Sequence, residues 1–598
     1  MSYSEYFMLI GAAGALLLAC AAFLAGLLVL FLCSPSFKAN RMLQSAYLPL
    51  FPAEHWAQTM YQLFAWISAY FLTFFFVIFS MFDWVHPIWT IGSSLLILGL
   101  RLRSWCAAGL AQLHQDIHWG GVTRRVFQLQ QQRSPVALYI LLATLIGYSL
   151  VLPVVSCGMC ICFYNPAIGL PLPGQASLST WLLRYFTVPE ACPPGSPCHI
   201  YLTLPEDSAH NVFVNCHTSP SQSTVNLHYG LLPDQLTWVV SMKAFQLEGL
   251  ESKGNRLVHS VLLANLTANT EYYFSLEYYQ GVMTPIQWFQ TLPEAGTEVP
   301  VVFISGGDAG NTPQAYTMTQ RAGEQNPSVA FVGGDIAYDD ALPSCYQAWD
   351  LFLSQWTAYM TSSSGRLVPM VLTVGNHDVG QDSQSYRNVT IGPAGPMYFA
   401  YFPQHFARDL QGNIVYDVPA IASRKSYFYH HLGNAVMLSL DSAYVVSMDG
   451  EQLDWLDTTL EALAPTYPVR FVTYHVPLYP SSPSLDLSIV PVALGIKYWV
   501  PIFDQYSVMT AFENHVHSFK RTNPLSCSIT SPAGTVYVGD GQWGAKPSSG
   551  PWDNDPEIFV KEGVQFHVWR VQVDLGQVTF TAIGLQPGAV VDNFTREY

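Results

Sequence analysis

Apolar positions along this chain follow three successive patterns. Up to about residue 165 they form long unbroken blocks. Tyr6 to Phe37 and Trp56 to Phe82 carry no charged residue, nor do Pro87 to Leu100 and Ser134 to Leu183. A helix that crosses a bilayer needs roughly 20 apolar residues. The first, second and fourth blocks meet that length. The third joins the second through Asp83-Trp84-Val85-His86 and reads as the return arm of a helical hairpin. The first block lacks a basic leader and is too long for a signal-peptide core. Four spanning helices are therefore expected. A Pro/Gly/Ser-rich stretch follows. Next come short alternating segments such as Thr237-Trp-Val-Val-Ser, Leu257-Val-His-Ser-Val-Leu-Leu and Tyr272-Tyr-Phe-Ser-Leu-Glu-Tyr, the signature of a β-sandwich. From about residue 299 the strands become continuous apolar runs: Val301-Val-Phe-Ile-Ser, Val329-Ala-Phe-Val-Gly, Val368-Pro-Met-Val-Leu-Thr-Val, Ala435-Val-Met-Leu-Ser-Leu, Val469-Arg-Phe-Val-Thr-Tyr and Thr535-Val-Tyr-Val. Such runs fit strands covered on both faces. Helical stretches, among them Tyr346 to Tyr359 and Gln452 to Leu463, lie between them, which predicts a layered α/β domain.

Charge sharpens this picture. Only 11% of residues are charged, against about 25% in ordinary soluble domains. Lys38 and Arg41 follow the first block, and Arg101, Arg103, Arg124, Arg125 and Arg133 lie between the third and fourth. The positive-inside rule makes these loops cytoplasmic and puts both chain ends outside. Glycosylation acceptors at Asn265, Asn388 and Asn593 all lie beyond the last block. Cys192 and Cys198 flank a segment suited to a small disulfide loop in an oxidising compartment. Cys157, Cys160 and Cys162 read as buried thiols, a local disulfide or lipidation sites. The expected location is a multi-pass integral membrane protein whose main domain is extracellular or luminal, with the lipid bilayer as one partner. A net charge of −16 and no basic run argue against nucleic acid as the main partner, so no nucleic-acid scaffold is expected.

Candidate chemistry sits at the strand ends. Asp308 follows the first buried strand in Ile304-Ser-Gly-Gly-Asp308. Asp335 and Tyr338 follow the second in Gly334-Asp335-Ile-Ala-Tyr338. Asn376 and His377 follow the third in Gly375-Asn376-His377-Asp378. His475 ends Val472-Thr-Tyr-His475, and Asn514-His515-Val-His517 comes later. Singly, each is an ordinary turn or surface pair. Five such clusters in order, each where an open α/β sheet opens its ligand crevice, point to a site for two metal ions.

The order of these clusters resembles the metallophosphoesterase superfamily, and Tyr338 after Asp335 resembles the purple acid phosphatases within it. Phe289-Gln-Thr-Leu-Pro, Gln452-Leu-Asp-Trp-Leu, Gly539-Asp-Gly541 and Phe566-His567 extend the resemblance over about residues 200 to 598. Leu266-Thr-Ala-Asn-Thr-Glu-Tyr272 resembles the corner of a fibronectin type III domain. Residues 1–165 are thus expected as a transmembrane helical region and 166–198 as a linker. Residues 199–297 are expected as a fibronectin-like sandwich and 298–598 as the α/β catalytic domain.

The resemblance implies that Asp308, Tyr338 and His517 hold a first ion, that Asp335 bridges, and that Asn376, His475 and His515 complete a second site. Hard anionic oxygens suit Fe(III), while two imidazoles and an amide suit Zn, Fe or Mn in divalent form. It further implies hydrolysis of phosphomonoesters, a phosphate ester substrate, attack by a metal-bound hydroxide, and His377 as the substrate-facing catalytic histidine. Phosphodiester cleavage of nucleotides or lipid head groups is the enzymatic alternative, and a metal-bearing scaffold or sensor the non-enzymatic one. Two departures stand out. Asn514 replaces a glycine, and is expected to keep the turn by tolerating positive φ. The loop Pro477-Leu-Tyr-Pro-Ser-Ser-Pro lacks a second substrate-facing histidine, for which His430-His431 is a poor substitute.

Overall fold

The computed structural model describes residues 160–165, 170–175, 192, 195–246, 254–279, 281–341, 345–380, 396–481, 489–539, 541–548 and 555–598. The expected spans up to residue 159 lie outside these residues. Among the described residues no helix is long and apolar enough to cross a membrane. One correction reaches into the fourth apolar block. Strands β1 (Cys160–Asn165) and β2 (Leu170–Gln175) pair antiparallel, Cys160 opposite Gln175. The end of the expected helical region and part of the expected linker are therefore a hairpin. Proline and glycine in Leu170-Pro-Leu-Pro-Gly oppose helix, and the β-branched and aromatic residues of Cys160-Ile-Cys-Phe-Tyr favour strand.

The sandwich runs through β3 (Cys198–Thr203), β4 (Val212–Thr218), β5 (Asn226–Gly230), β6 (Trp238–Ser241), β7 (Lys243–Gln246), β8 (Leu257–Leu263), β9 (Glu271–Tyr279), β10 (Val282–Met283) and β11 (Gln287–Gln290). β3, β4, β8 and β7 form one layer; β5, β6, β9, β10 and β11 form the other. Val214, Val261, Leu227, Phe274 and Leu276 share the core between them. Tyr272 accepts a hydrogen bond from the Thr267 backbone at 2.9 Å while Leu266 is buried, which closes the expected corner.

The α/β part follows in chain order. It begins with β12 (Val301–Gly306), α1 (Pro313–Gly323), β13 (Val329–Gly333), α2 (Tyr346–Tyr359), β14 (Met370–Thr373), α3 (Asn376–Val379) and α4 (Pro396–Tyr401). It continues with β15 (Ala407–Arg408), β16 (Ile414–Val415), β17 (Phe428–Leu432), β18 (Ala435–Ser439), α5 (Glu451–Leu463), β19 (Val469–Thr473), α6 (Val490–Leu494) and α7 (Val500–Gln505). It ends with β20 (Thr510–Phe512), β21 (Phe519–Thr522), β22 (Leu525–Ser526), β23 (Ile529–Thr530), β24 (Val536–Gly539), β25 (Phe559–Gly563), β26 (His567–Asp574), β27 (Gln577–Gly584) and β28 (Val590–Glu597).

Two large sheets result. One has the order β28-β27-β26-β12-β13-β14-β3-β4-β8-β7, the other β17-β18-β19-β20-β24-β21-β25. Strand alternation explains the four layers. Val301, Phe303, Val329 and Phe331 point between the sheets, where Phe303 lies 5.4 Å from Phe471 ring to ring. Ile304, Ala330 and Val332 point outward under α1 and α2. Val436, Leu438 and Val472 do the same under α5 and α7. Helix α1 starts where Thr312 accepts from the Ala315 backbone, and Pro313 occupies its first turn, a strong start signal. Its buried Ala315, Met318, Thr319 and Ala322 follow helical spacing. The sandwich and α/β regions share one sheet, because β3 pairs parallel to β14 at Met370 and Thr203. Sequence segmentation gave no hint of that joint, since pairing between strands as far apart as Thr203 and Met370 leaves no local trace.

Candidate metal centre

Strands β12, β13, β14, β19 and β20 lie parallel within their sheets, so their C-terminal ends open on the same side. Asp308, Asp335 with Tyr338, Asn376 with His377, His475, and His515 with His517 emerge there. Five of these residues turn sharply on leaving their strands: φ is 55° at Asp308, 50° at Asp335, 60° at Tyr338, 76° at His515 and 58° at His517. Left-handed backbone is uncommon outside glycine and costs of order 1–3 kcal/mol at each residue. Its concentration here marks a site whose side chains are aimed by the fold.

The donor atoms converge. Nε2 of His517 lies 3.0 Å from Oδ1 of Asp308 and 3.2 Å from the Tyr338 hydroxyl, which is itself 3.4 Å from that carboxylate oxygen. Nε2 of His475 lies 3.3 Å from Oδ2 of Asp335, 3.1 Å from Oδ1 of Asn376 and 3.1 Å from Nδ1 of His515. Two overlapping groups, Asp308-Asp335-His517 and Asp335-His475-His515, have the spacing to hold a metal ion each. Asp335 is common to both. The outer contacts fit the same use. Nδ1–H of His475 donates to the Gly333 carbonyl at 2.9 Å, and Nδ1–H of His517 to the Lys546 carbonyl at 2.8 Å. Each leaves Nε2 as the ring nitrogen facing the pocket, the arrangement that metal-binding histidines need.

Electrostatics also call for cations. Asp308 and Asp335 are essentially fully buried. Burial opposes ionisation of Asp335, yet His475 and His377 hold its carboxyl well below the usual carboxylate range. Against its own burial, His475 is held up at about 9 by Asp335 and Asp308. Burial and the neighbouring His475 push His515 down to about 3. Burial, then Asp308, raises the Tyr338 phenol well above its ordinary value. The buried anions thus recruit protons onto imidazole, a place that metal ions would take with proton release.

Sequence reading missed the supports around these donors. Asp378 accepts from the backbones of Asp335, Gly375 and Ile336 at 2.8, 2.8 and 3.0 Å, so one buried carboxylate ties two ligand turns together. Asp340 accepts from Nδ1 of His377 at 2.5 Å and orients that ring at the open edge of the pocket. Tyr444 donates to Oδ1 of Asn376 at 3.5 Å. The only sequence signal was an excess of acidic residues beside ligand candidates. Gly541 faces Asp308 so closely that a Cβ there would sit 1.7 Å from Oδ2, and its φ of 70° also demands glycine.

Other expectations divide. Asn514 is not in the left-handed region; His515 and His517 are. The asparagine instead donates to the Tyr474 carbonyl at 2.9 Å and packs its amide against Gly307 and Gly333. His430 is buried against the carbonyls of Leu204 and Gln404, and His431 stacks on Tyr467. His567 is buried and bonded to the Gln565 carbonyl. Cys192 and Cys198 are disulfide-bonded, Cys216 is a buried thiol and Cys527 an exposed one. Asn265 and Asn593 are exposed; Asn388 lies outside the described residues.

Comparison with known proteins fits this geometry. The model of the purple acid phosphatase N-terminal domain matches residues 197–291. Over 382 residues the chain is 26% identical to a purple acid phosphatase of Glycine max, covering 59% of this chain and 74% of the relative. It is 25% identical over 358 residues to Fe(3+)-Zn(2+) purple acid phosphatase 12 of Arabidopsis thaliana, covering 57% and 68%. The solved structure of purple acid phosphatase PPD1 from yellow lupin seeds superposes with a TM-score of 0.54 at 18% identity, covering 68% of this chain and 75% of that one, and shares the fold. A layered β-sheet phosphatase with a site for metal ions is the class so defined. From the sandwich onward the chain is similar to purple acid phosphatases, and it is a purple acid phosphatase-like phosphoric monoester hydrolase with two groups of residues that could hold metal ions.

Proposed function

We propose that this protein is a membrane-anchored acid phosphatase that hydrolyses phosphomonoesters at a binuclear centre of Fe(III) and a divalent ion. One observation carries the reading: donors from five separate strand ends meet at one site, with Asp335 shared between two groups that could hold a metal ion and Asn376 against His475. In this assignment Asp308, Tyr338 and His517 would hold Fe(III), Asn376, His475 and His515 would hold Zn, Fe or Mn, and Asp335 would serve both ions. The Fe(3+)-Zn(2+) relative supports that pairing, as does the contrast between anionic oxygens on one side and imidazole and amide on the other. Such a pair supplies Lewis acidity and activates water for attack on phosphorus.

The chain's own groups do the rest. The His377 side chain is 39% exposed, so it meets the bound ester at the pocket mouth. Burial opposes its charge, but Asp335 and then Asp340 hold it at about 9. It therefore carries a proton in acidic and neutral solution, ready for a phosphoryl oxygen or the departing alkoxide. Asp340 fixes the ring so that Nε2 faces inward, 4.0 Å from Asp335. Buried carboxylates repel a phosphate ester, so binding requires the cations.

Anchoring rests on the four apolar blocks, and an extracytoplasmic catalytic domain on the Arg/Lys loops. The Cys192–Cys198 disulfide and the exposed Asn265 and Asn593 support that side of the membrane. Metal analysis of the purified protein, with phosphate release measured across monoesters, diesters and polyphosphates, tests the activity. Two equivalents of metal and preference for monoesters are expected; diester preference or a metal-free active enzyme would overturn the assignment. Protease digestion of sealed vesicles tests the side: digestion from the cytosolic face would refute it.

A further inference from the structure

Immediately behind the histidines lies an ion pair that the catalytic chemistry does not use. Glu513 and Lys520 are both fully buried and in direct contact. They bracket the His515-Val-His517 turn, Glu513 two residues before it and Lys520 three after. The carboxylate reaches further. Its Oε1 accepts from the Tyr474 hydroxyl at 2.6 Å and from the Leu478 backbone at 2.7 Å. The Lys520 ammonium also donates to the Tyr479 carbonyl. Tyr474 directly precedes His475, and Leu478 and Tyr479 lie in the loop that follows it. Asn514 closes the frame, donating its backbone N–H to the His475 carbonyl at 3.0 Å and its amide to the Tyr474 carbonyl at 2.9 Å.

We infer that the Glu513–Lys520 pair is a positioning element that locks the three histidines of the metal centre, His475, His515 and His517, into one relative geometry. The reason is physical. A buried ion pair gives little net stability over an apolar pair of similar size, so stability alone is a weak explanation for one here. Its directional bonds, however, specify geometry: a carboxylate with two further donors and an ammonium with a carbonyl acceptor admit one arrangement of the loops. All three histidines leave their strands in turns that cross this frame, two of them through left-handed residues whose backbone would relax if released. The role is indirect, since neither Glu513 nor Lys520 is among the donors facing the pocket. The inference rests on the binuclear reading, and its test separates the two.

The full-length protein, stripped and titrated with Zn(II) against a competing chelator, gives the readout. The charge-neutral pair Glu513→Gln with Lys520→Met removes both charges together, which buried sites tolerate better than loss of one. Zinc affinity is expected to fall about 10- to 100-fold, the usual scale for groups that orient ligands, with the metal-free melting temperature within a few degrees of wild type. Tyr474→Phe removes only one hydroxyl from the frame and should weaken zinc several-fold; it decides the matter if the double variant does not fold. The reversed pair, Glu513→Lys with Lys520→Glu, restores opposite charges but offers no acceptor to Tyr474 and Leu478, so affinity should stay low. Wild-type zinc affinity in the neutral pair or in Tyr474→Phe, or full recovery in the reversed pair, would overturn the inference. Failure of the wild type itself to bind zinc would instead sink the metal centre.

Discussion

The hydroxyl of Tyr338 lies 3.4 Å from Oδ1 of Asp308, both groups buried. Without a cation, burial and then the Asp308 charge hold the proton on the phenol. A trivalent ion held by the two oxygens would outweigh both effects and favour phenolate. The iron-loaded protein should therefore absorb visible light by phenolate-to-iron charge transfer. Tyr338→Phe should lose that band with no more than a few degrees of change in melting temperature. A colourless iron-loaded wild type counts against the assignment.

Asp335 contributes to both donor groups, and its Oδ1 also accepts from the His377 backbone at 2.8 Å. Asp335→Asn keeps shape but removes the charge shared by two ions. Turnover should drop by more than the roughly 10- to 100-fold typical of outer-contact losses, together with loss of one metal equivalent by elemental analysis. An active Asn variant with two metals would rule out the bridge.

Gly541 sits against Asp308. Gly541→Ala would drive a methyl into the carboxylate at a φ of 70°, so something must move. The first ion should bind at least tenfold more weakly by titration, and the melting temperature of the metal-free protein should fall. A variant indistinguishable from wild type in both would show that the turn has slack.

His430 governs acid tolerance. Burial pushes its imidazole down to about 4, while the unfolded chain titrates near 6.5. Above about pH 6.5 both states are neutral and the residue has no pH effect. Between about pH 6.5 and 4 the unfolded state gains a proton that the folded state refuses, so stability falls by on the order of 3 kcal/mol. His430→Gln retains a donor for the Leu204 carbonyl. It should flatten the decline of melting temperature between pH 6.5 and 4 without abolishing it, since burial also holds His405 and His567 at about 4. An unchanged slope would mean that His430 titrates normally in the fold.

Much of this was legible in the sequence because its signals are local. Continuous apolar runs such as Val329-Ala-Phe-Val-Gly announce buried strands, and polar residues placed directly after them announce a crevice. All seven predicted ligand positions come together in the pocket for that reason. The corner at Leu266 to Tyr272 was readable in the same way, because its hydrogen bond spans only five residues. The β1–β2 hairpin was misread, since an uncharged apolar stretch has the same composition whether it folds as helix or as strand.

The chain's order of residues decided which elements form, which strand ends carry donors, and that the donors suit two different ions. Tertiary structure alone decided that β3 joins β14, that Asn514 serves as a wedge between Gly307 and Gly333, and that Glu513 and Lys520 meet behind the histidines. Those contacts depend on where distant segments are brought by the packing of two sheets through Phe303, Phe331 and Phe471. Burial then turns an ordinary acid and base into a directional lock, a change that no window of sequence contains.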